Sequence, residues 1–384
     1  MKNSKKILII GAGIMQIPVI EECKKLGYKT IVTDIDENAL GMRMADIALK
    51  IDTLDKEATF DVAKKYKING IVTTSDYPVR TVAYVCKNFK IKGLSESVAK
   101  ACTNKYLLRK KLSENRITCP MYWKVENLKE LSSIEKDILF PVIVKPVDSS
   151  ASRGVAKVSN CKKLKNAFKS AKIYSRNGAV IIEQFLEGNE YSVESLTQNG
   201  KTVVVGITEK TISSGNSYFV EERHIIPANI KPKEKEEIER LIPRVIKAIG
   251  LDNCGTHSEL KITPKGPVII EIGARLGGDF ITSDLVPLST GVNMLRNIIN
   301  ISIGKEINSK KKKKKYAGIQ FINSDNYDFA KKHLEKIKSR TGFVKSELKE
   351  YRKLELRSSL DRLGYYICVA NSRKKLLELL GIGF

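Results

Sequence analysis

Two glutamates, Glu259 and Glu271, lie in the run Cys254 to Asp279, CGTHSELKITPKGPVIIEIGARLGGD, at a spacing suited to holding a cation. If Pro264, Lys265 and Gly266 form a three-residue turn, Thr263 pairs with Pro267 and the ladder sets Glu259 directly across from Glu271. Cross-strand neighbours sit ~5 Å apart, and like charges there are destabilising unless something positive lies between them. A divalent cation such as magnesium or manganese meets that need, because carboxylate and phosphate oxygens are the hard ligands such ions take. The two-residue period of a strand puts Gly273 and Arg275 on the face of Glu271, so an arginine fork stands beside the proposed metal and can hold a phosphate bidentately. The competing reading is a solvent-facing hairpin with its acids on the wet side. Val268, Ile269 and Ile270 argue against it, since they describe a buried strand in which an unpaired carboxylate is costly. A four-residue turn would instead bring Ile272 opposite Glu259.

Other groups of the same chemistry lie upstream. Lys145 ends a predicted strand and is followed by PVDSSASRGV, so an ammonium, the hydroxyls of Ser149, Ser150 and Ser152, and free backbone N–H groups near Gly154 can face a phosphate chain. The pattern departs from a P-loop, which needs GxxxxGK[ST] before a helix, and an ordinary serine-rich turn is the alternative. In IIEQFLEGNEYSVES, Glu183 ends a strand, Phe185 and Leu186 lie in the connection, and Glu190 opens the next strand. Such a connection suits a flat base, with an acid further on for ribose hydroxyls; an interdomain hinge reads the same way. His224, in FVEERHIIPA, is either a substrate contact or a histidine of no consequence.

The elements that must position these groups follow from periodicity. The first ~100 residues alternate strand and helix (Lys6 to Ile10, Ile14 to Leu26, Thr30 to Thr33, Ile71 to Thr74), which argues for a parallel sheet covered by helices on both faces. The first turn, GAGIMQ, has two of the three glycines of a dinucleotide fingerprint and Gln16 in place of the third; Asp34 keeps that option open. Thr103 to Asn115 reads as a basic helix capped by Thr103 or Asn104, carrying Lys105, Arg109, Lys110 and Lys111. Strands at Val142 to Lys145 and Val180 to Phe185 flank a helix at Cys161 to Ser170. Tyr191 to Gln198 and Val203 to Thr208 open a larger antiparallel sheet, and Pro232 to Ile249 has apolar residues spaced at three and four, as a helix requires. Leu285 to Ile303 reads as one helix, and Tyr316 to Phe384 mixes strand and helix.

Composition narrows the function classes. At 384 residues the chain has room for two or three domains. No apolar run approaches the ~20 residues of a membrane span, and the start MKNSKKILIIGAG passes straight into a strand, so a cytoplasmic protein without membrane contact is expected. Seven cysteines without a CxxC pair indicate neither a disulfide framework nor a zinc site. The net charge of +25 invites a nucleic-acid reading. The lysines, however, are spread beside Glu and Asp and no recognised nucleic-acid module accompanies them, so no nucleic-acid partner is expected. The one dense block, Lys310 to Lys315, reads as a solvated interdomain loop.

Taken in order, Lys105, Lys145 with its loop, Glu183 to Glu190, and Glu259/Glu271 with Arg275 resemble the ATP-grasp superfamily over essentially the whole chain. The resemblance implies an α/β and α+β fold: an N-terminal parallel-sheet, Rossmann-like pre-ATP-grasp domain (1–103), a two-subdomain ATP-grasp fold (small subdomain 104–186, large subdomain 187–306) and a small C-terminal mixed subdomain (307–384). It makes Lys105 and Lys145 look like the lysines on the nucleotide phosphates, and Ser149 to Gly154 like the mobile loop over them. Glu183, Phe185 and Leu186 fall where the family holds adenine, and Glu190 where it holds ribose. Glu259 and Glu271 match the magnesium ligands, and Arg275 the arginine on the transferred phosphoryl group. EIGARLGGD and SSLDRLGYYICVANS are most similar to L-amino acid ligases and related carboxylate–amine ligases. On that likeness Glu221 and His224 reach the substrate, Gly277 and Gly278 line the acyl pocket, and residues from Tyr218 to Asn229 and after Gly278 choose the substrate. Many members carry Asn two residues after the second glutamate; here that residue is Gly273. The activity implied is ADP-forming ligation of a small-molecule carboxylate, such as an amino acid, to an amine through an acyl phosphate, with ATP and Mg2+ (or Mn2+). The resemblance also leaves room for a homodimer. The alternatives are a biotin-dependent-carboxylase-like enzyme, a nucleotide-dependent oxidoreductase resting on GAGIMQ and Asp34, and a non-catalytic ATP-binding protein.

Overall fold

The computed structural model describes residues 4–150, 152–212 and 220–382. The first sheet contains β1 (Lys6–Ile10), β2 (Lys29–Asp34), β3 (Ile47–Lys50) and β4 (Gly70–Val72), all parallel, in the order β3-β2-β1-β4. β1 is the near-continuous apolar run expected of a strand buried on both faces. The turn after β1 holds Gly11 at φ +99°. Asp34, which a dinucleotide reading would turn toward a ribose, accepts the Ala12 N–H at 2.7 Å and fixes this turn. Gln16 is buried, and its Nε2 donates to Thr74 Oγ1 at 2.9 Å and Ser75 Oγ at 2.8 Å, tying the turn to the loop after β4.

The second sheet contains β5 (Tyr122–Val125), β6 (Val142–Pro146), β7 (Ala156–Val158) and β8 (Val180–Gln184), antiparallel, in the order β5-β8-β6-β7. Its core residues Val142, Val144 and Val180 meet Leu164, Phe168 and Ala171 from the helix Cys161–Ile173. The helix Lys105–Glu114 is capped by Asn104, whose side chain accepts the Leu107 N–H at 3.0 Å.

The third sheet is antiparallel and eight-stranded: β9 (Asn189–Gln198), β10 (Lys201–Ile212), β11 (Glu221–Ile226), β12 (Cys254–Thr263), β13 (Gly266–Gly273), β14 (Tyr316–Ile322), β15 (Phe343–Leu348) and β16 (Gly364–Ala370). Its order is β13-β12-β9-β10-β11-β14-β16-β15. The helix Pro232–Ile249 buries Ile238, Ile242, Val245, Ile246 and Ile249 against Val193 and Ile269. The C-terminal strands join this sheet through β11 and β14 while keeping a core of their own around Ile322, Tyr327, Leu334, Leu363 and Tyr366.

Two local expectations need correction. Leu285 to Ile303 is two helices, Val286–Thr290 and Met294–Ser302, divided at Gly291, whose φ of +77° ends the first helix. The hairpin turn has two residues, because Thr263 pairs with Gly266. That register alone would set Glu259 against Ile270. A β-bulge between Glu259 and Leu260 restores the pair, and Glu259 faces Glu271 after all. Among the described residues no helix is long and apolar enough to cross a membrane.

Candidate active site

A cleft of about 490 Å³ opens where the three sheets converge. On its sheet wall the bulge is held from below. Arg109 is fully buried, and its Nη2 donates to the Ile270 carbonyl at 2.6 Å, the residue that the bulge leaves without a cross-strand partner. Lys105 and Arg109 are four apart on one helix and so share a face. Lys105 Nζ donates to the Ser149 carbonyl at 2.7 Å and lies 3.2 Å from Glu271 Oε1. Burial opposes its charge, yet Glu271 and Asp76 hold the ammonium above its usual range. The facing acid, Glu259, has Lys210 Nζ at 2.8 Å and His257 Nε2 at 3.4 Å. Each of the two facing acids therefore carries its own cation.

Lys145 and Glu183 form a deeper knot. Lys145 Nζ lies 2.7 Å from Glu183 Oε2, and Arg109 Nε lies 2.9 Å from Oε1. Burial alone would raise the Glu183 carboxyl; Arg109 and Lys145 overcome it and bring the pKa down to about 2. Burial lowers the Lys145 pKa, with Glu183 opposing. Glu183 lines the cleft with its carboxylate already engaged by these two cations. Phe185 has Lys157 Nζ at 3.7 Å and Lys261 Nζ at 4.7 Å from its ring centroid. Lys261 also donates to the Leu186 carbonyl at 3.0 Å. Phe185, Leu186 and Lys261 thus make one wall of the cleft, with the ring held by cation–π contacts.

Three residues that sequence reasoning missed are central here. Lys210 reaches Glu190 at 2.9 Å, Glu221 at 3.2 Å and Glu259 at 2.8 Å, with only 4% of its side chain exposed. Burial disfavours its charge, but the three acids hold it well above its usual range. It went unnoticed because β10 was expected to end at Thr208; continuing to Ile212 puts Lys210 on the inward face. His257 and Glu194 face each other on β12 and β9, with Nδ1 and Oε1 2.5 Å apart. Burial pulls His257 down, while Glu194 and Glu259 lift its pKa to about 9. The available signal was alternation: His257 is two residues before Glu259, and Glu194 is four after Glu190.

Most predicted residues meet at the cleft. Lys105, Lys145, Ser149, Ser150, Ser152, Glu183, Phe185, Leu186, Glu190, Glu221, His224, Glu259, Glu271, Gly273, Arg275 and Gly278 line it. Gly154 and Gly277 do not. Gly154, at φ +71°, packs against Tyr174 of the adjacent helix, and a Cβ there would lie 2.8 Å from that ring. Gly277 donates its N–H to Glu194 Oε2 at 3.2 Å, and a Cβ would meet Glu194 Oε1 at 2.6 Å and His257 Nδ1 at 2.7 Å. Its lack of a side chain lets the loop after β13 approach that pair. Of the segment from Tyr218 to Asn229, Tyr218 and Phe219 lie outside the described residues.

At the far end of the cleft, Arg362 donates to Asp279 Oδ2 at 2.8 Å, and to the Glu221 carbonyl at 2.9 Å and Oε2 at 3.2 Å. His224 is buried with Nε2 3.8 Å from Asp279 Oδ2. Burial would raise the Asp279 carboxyl, and His224 and Arg362 hold it well below the usual range. The first sheet contributes the turn after β4. Asp76 accepts both arms of Arg275, and the Tyr77 hydroxyl accepts from Arg153 Nη2 at 2.5 Å, with Arg176 over its ring at 3.9 Å.

Comparison with known proteins finds likeness over part of the sequence and over the whole fold. Residues 138–284 match the sequence profile of the ATP-grasp domain. The formate-dependent phosphoribosylglycinamide formyltransferase of Sulfurisphaera tokodaii is 27% identical over 263 residues, 65% of this chain and 64% of its own length. The alanine–anticapsin ligase of Bacillus subtilis is 24% identical over 245 residues, 58% of this chain and 51% of its own. The chain thus spans between about half and two thirds of the length of these curated relatives. The crystal structure of an L-amino acid ligase from Bacillus licheniformis superposes with a TM-score of 0.82 at 22% identity, covering 99% of this chain and 97% of that one.

Proposed function

As a member of the ATP-grasp superfamily through residues 138–284, the chain is, we propose, an ATP-dependent, ADP-forming carboxylate–amine ligase acting on an amino acid or similar small carboxylate. One observation carries the reading: Glu259 and Glu271 face each other at the cleft, on the same wall to which Lys105, Lys210 and Arg275 converge. Opposed carboxylates with cations beside them suit magnesium and a phosphate chain.

The donor set fits such an ion. Among the described residues no group of three or more His, Cys, Asp or Glu side chains is disposed to hold a metal by itself. Glu259 and Glu271 would therefore supply two carboxylates, with phosphate and water oxygens completing the shell. When bound there, the ion would offset the charge of the phosphate chain.

The chain's own residues account for the rest. Lys105 and Lys145 hold phosphate oxygens, and Phe185 and Leu186 flank the base with Glu190 toward the ribose. Ser149, Ser150 and Ser152, which line the cleft, face the phosphates and shield them from water. A carboxylate oxygen of the acid attacks the γ-phosphorus; the new O–P bond forms as the bond to the β-phosphate oxygen breaks, and ADP leaves. Arg275 bears on the charge of the moving phosphoryl group. The amine nitrogen then attacks the acyl carbon, inorganic phosphate departs, and the nitrogen gives up its proton, leaving an amide. No side-chain nucleophile is required. Glu221, His224 and Asp279 form the end of the cleft that receives the acid.

The test is ADP release from ATP and Mg2+ with amino acids singly and in pairs, with products identified by mass spectrometry. Release with a pair and an amide of the summed mass support the reading. Release with one acid alone points to another acceptor.

A further inference from the structure

Asp76 reaches the cleft from the first sheet, four residues beyond β4, whereas the acids around it belong to the third sheet. Its carboxylate takes Arg275 as a fork, with Nε donating to Oδ1 at 2.7 Å and Nη2 to Oδ2 at 2.9 Å. Nη1 donates to the Leu276 carbonyl at 3.0 Å. A guanidinium carries five N–H donors, so beyond these three bonds to described residues Nη1 and Nη2 each keep one N–H. Such donors suit the oxygens of a phosphoryl or carboxylate group.

Gly273 supplies a second observation. Its φ lies outside the left-handed region, so the backbone does not require glycine there. A Cβ would sit 3.4 Å from Asp76 Oδ1, 3.5 Å from Arg275 Nε and 3.6 Å from Arg275 Cγ. These are ordinary contact distances, so a methyl group fits there, directly against the fork.

We propose that Asp76 is a positioning residue for phosphoryl transfer: reaching from the first sheet to the third beside Gly273, it locks Arg275 so that the two remaining N–H groups meet the transferred group. This rests on the ligase reading above. Catalysis of phosphoryl transfer is mainly positioning and preorganised charge, so an arginine free to rotate is a weaker partner than one held on its far edge.

The test uses Asp76→Asn, Asp76→Glu, Arg275→Ala and the Asp76→Asn/Arg275→Ala double variant, with two readouts. In the first, phenylglyoxal modification of Arg275 is followed by mass spectrometry; it should be slow in the wild type and several-fold faster in Asp76→Asn. In the second, ADP release should show kcat lowered about tenfold or more in Asp76→Asn while KM for ATP stays within about threefold, the signature of an interaction made in the transition state. Asp76→Glu, which keeps the charge, should recover part of the loss and also serves if the asparagine variant folds poorly. The double variant should be no slower than Arg275→Ala, because residues acting as a unit are non-additive. Equal modification of Arg275 in the two proteins, or independent multiplication of the two losses, overturns the proposal. If the wild type releases no ADP with any acid and amine, the ligase reading fails, and Arg275 modification still decides whether Asp76 holds it.

Discussion

Glu183 shows how much one buried charge can govern. Between Arg109 and Lys145 its carboxyl is depressed to about 2 from an ordinary 4.5. A depressed folded-state pKa gives stability that is present above the unfolded value and lost as pH falls through the folded one. Urea unfolding from neutral pH downward should therefore show stability falling from about pH 4.5 toward pH 2, and Glu183→Gln should flatten that fall. At pH 7 the same variant leaves two buried cations without their acid and should lose about 3–5 kcal/mol. Lys210 is the mirror case, a cation among Glu190, Glu221 and Glu259. Lys210→Met should destabilise by a similar amount, about 3–5 kcal/mol. Added Mg2+ should recover part of that loss, because among the described residues Glu190, Glu221 and Glu259 then keep only Arg362 beside Glu221 and His257 beside Glu259; a thermal melt indifferent to Mg2+ would contradict this. These residues were also the hardest to read in advance. Glu183 was visible as a strand-end acid, but its partner Arg109 sits 74 residues away, and only the packing of a helix against two sheets brings them together.

At the scale of elements, the hairpin is the instructive case. Glu259 and Glu271 were legible as a facing pair from alternation, yet the turn is one residue shorter than assumed and a bulge corrects the register. Turn length and bulge offset each other, and neither leaves a mark in apolar periodicity. The bulge's free carbonyl at Ile270 needs a donor, and Arg109 provides it. The loop after the hairpin approaches the Glu194–His257 pair so closely that Gly277→Ala should overpack it, costing about 1–3 kcal/mol; an unchanged melting temperature would show that the loop can retreat. The turn after β4 touches two neighbours, Asp76 on Arg275 and Tyr77 on Arg153 and Arg176. Tyr77→Ala should loosen the 149–154 loop, read as faster hydrogen exchange and proteolysis there with the rest of the map unchanged.

For the whole molecule, periodicity sufficed where elements are long and regular, as in β1 and the helix Pro232–Ile249, whose bounds match the pattern. It failed where one backbone angle decides, as at Gly291. The eight-stranded order was not readable, because β9 pairs with β12 and β11 with β14 across long intervening segments. What the assembly achieves is convergence. The first sheet lends Asp76 and Gln16, the second Lys145 and Glu183, and the third the facing acids, to one cleft. The account makes that cleft a place where a carboxylate is phosphorylated before an amine takes it. The direct measurement is the fate of heavy oxygen placed in the carboxylate of whichever acid and amine pair releases ADP. The account predicts that a labelled oxygen appears in inorganic phosphate, in step with amide formation, and that Glu271→Gln abolishes both. Amide formed with all the label retained in the product or water, and none in phosphate, would contradict it.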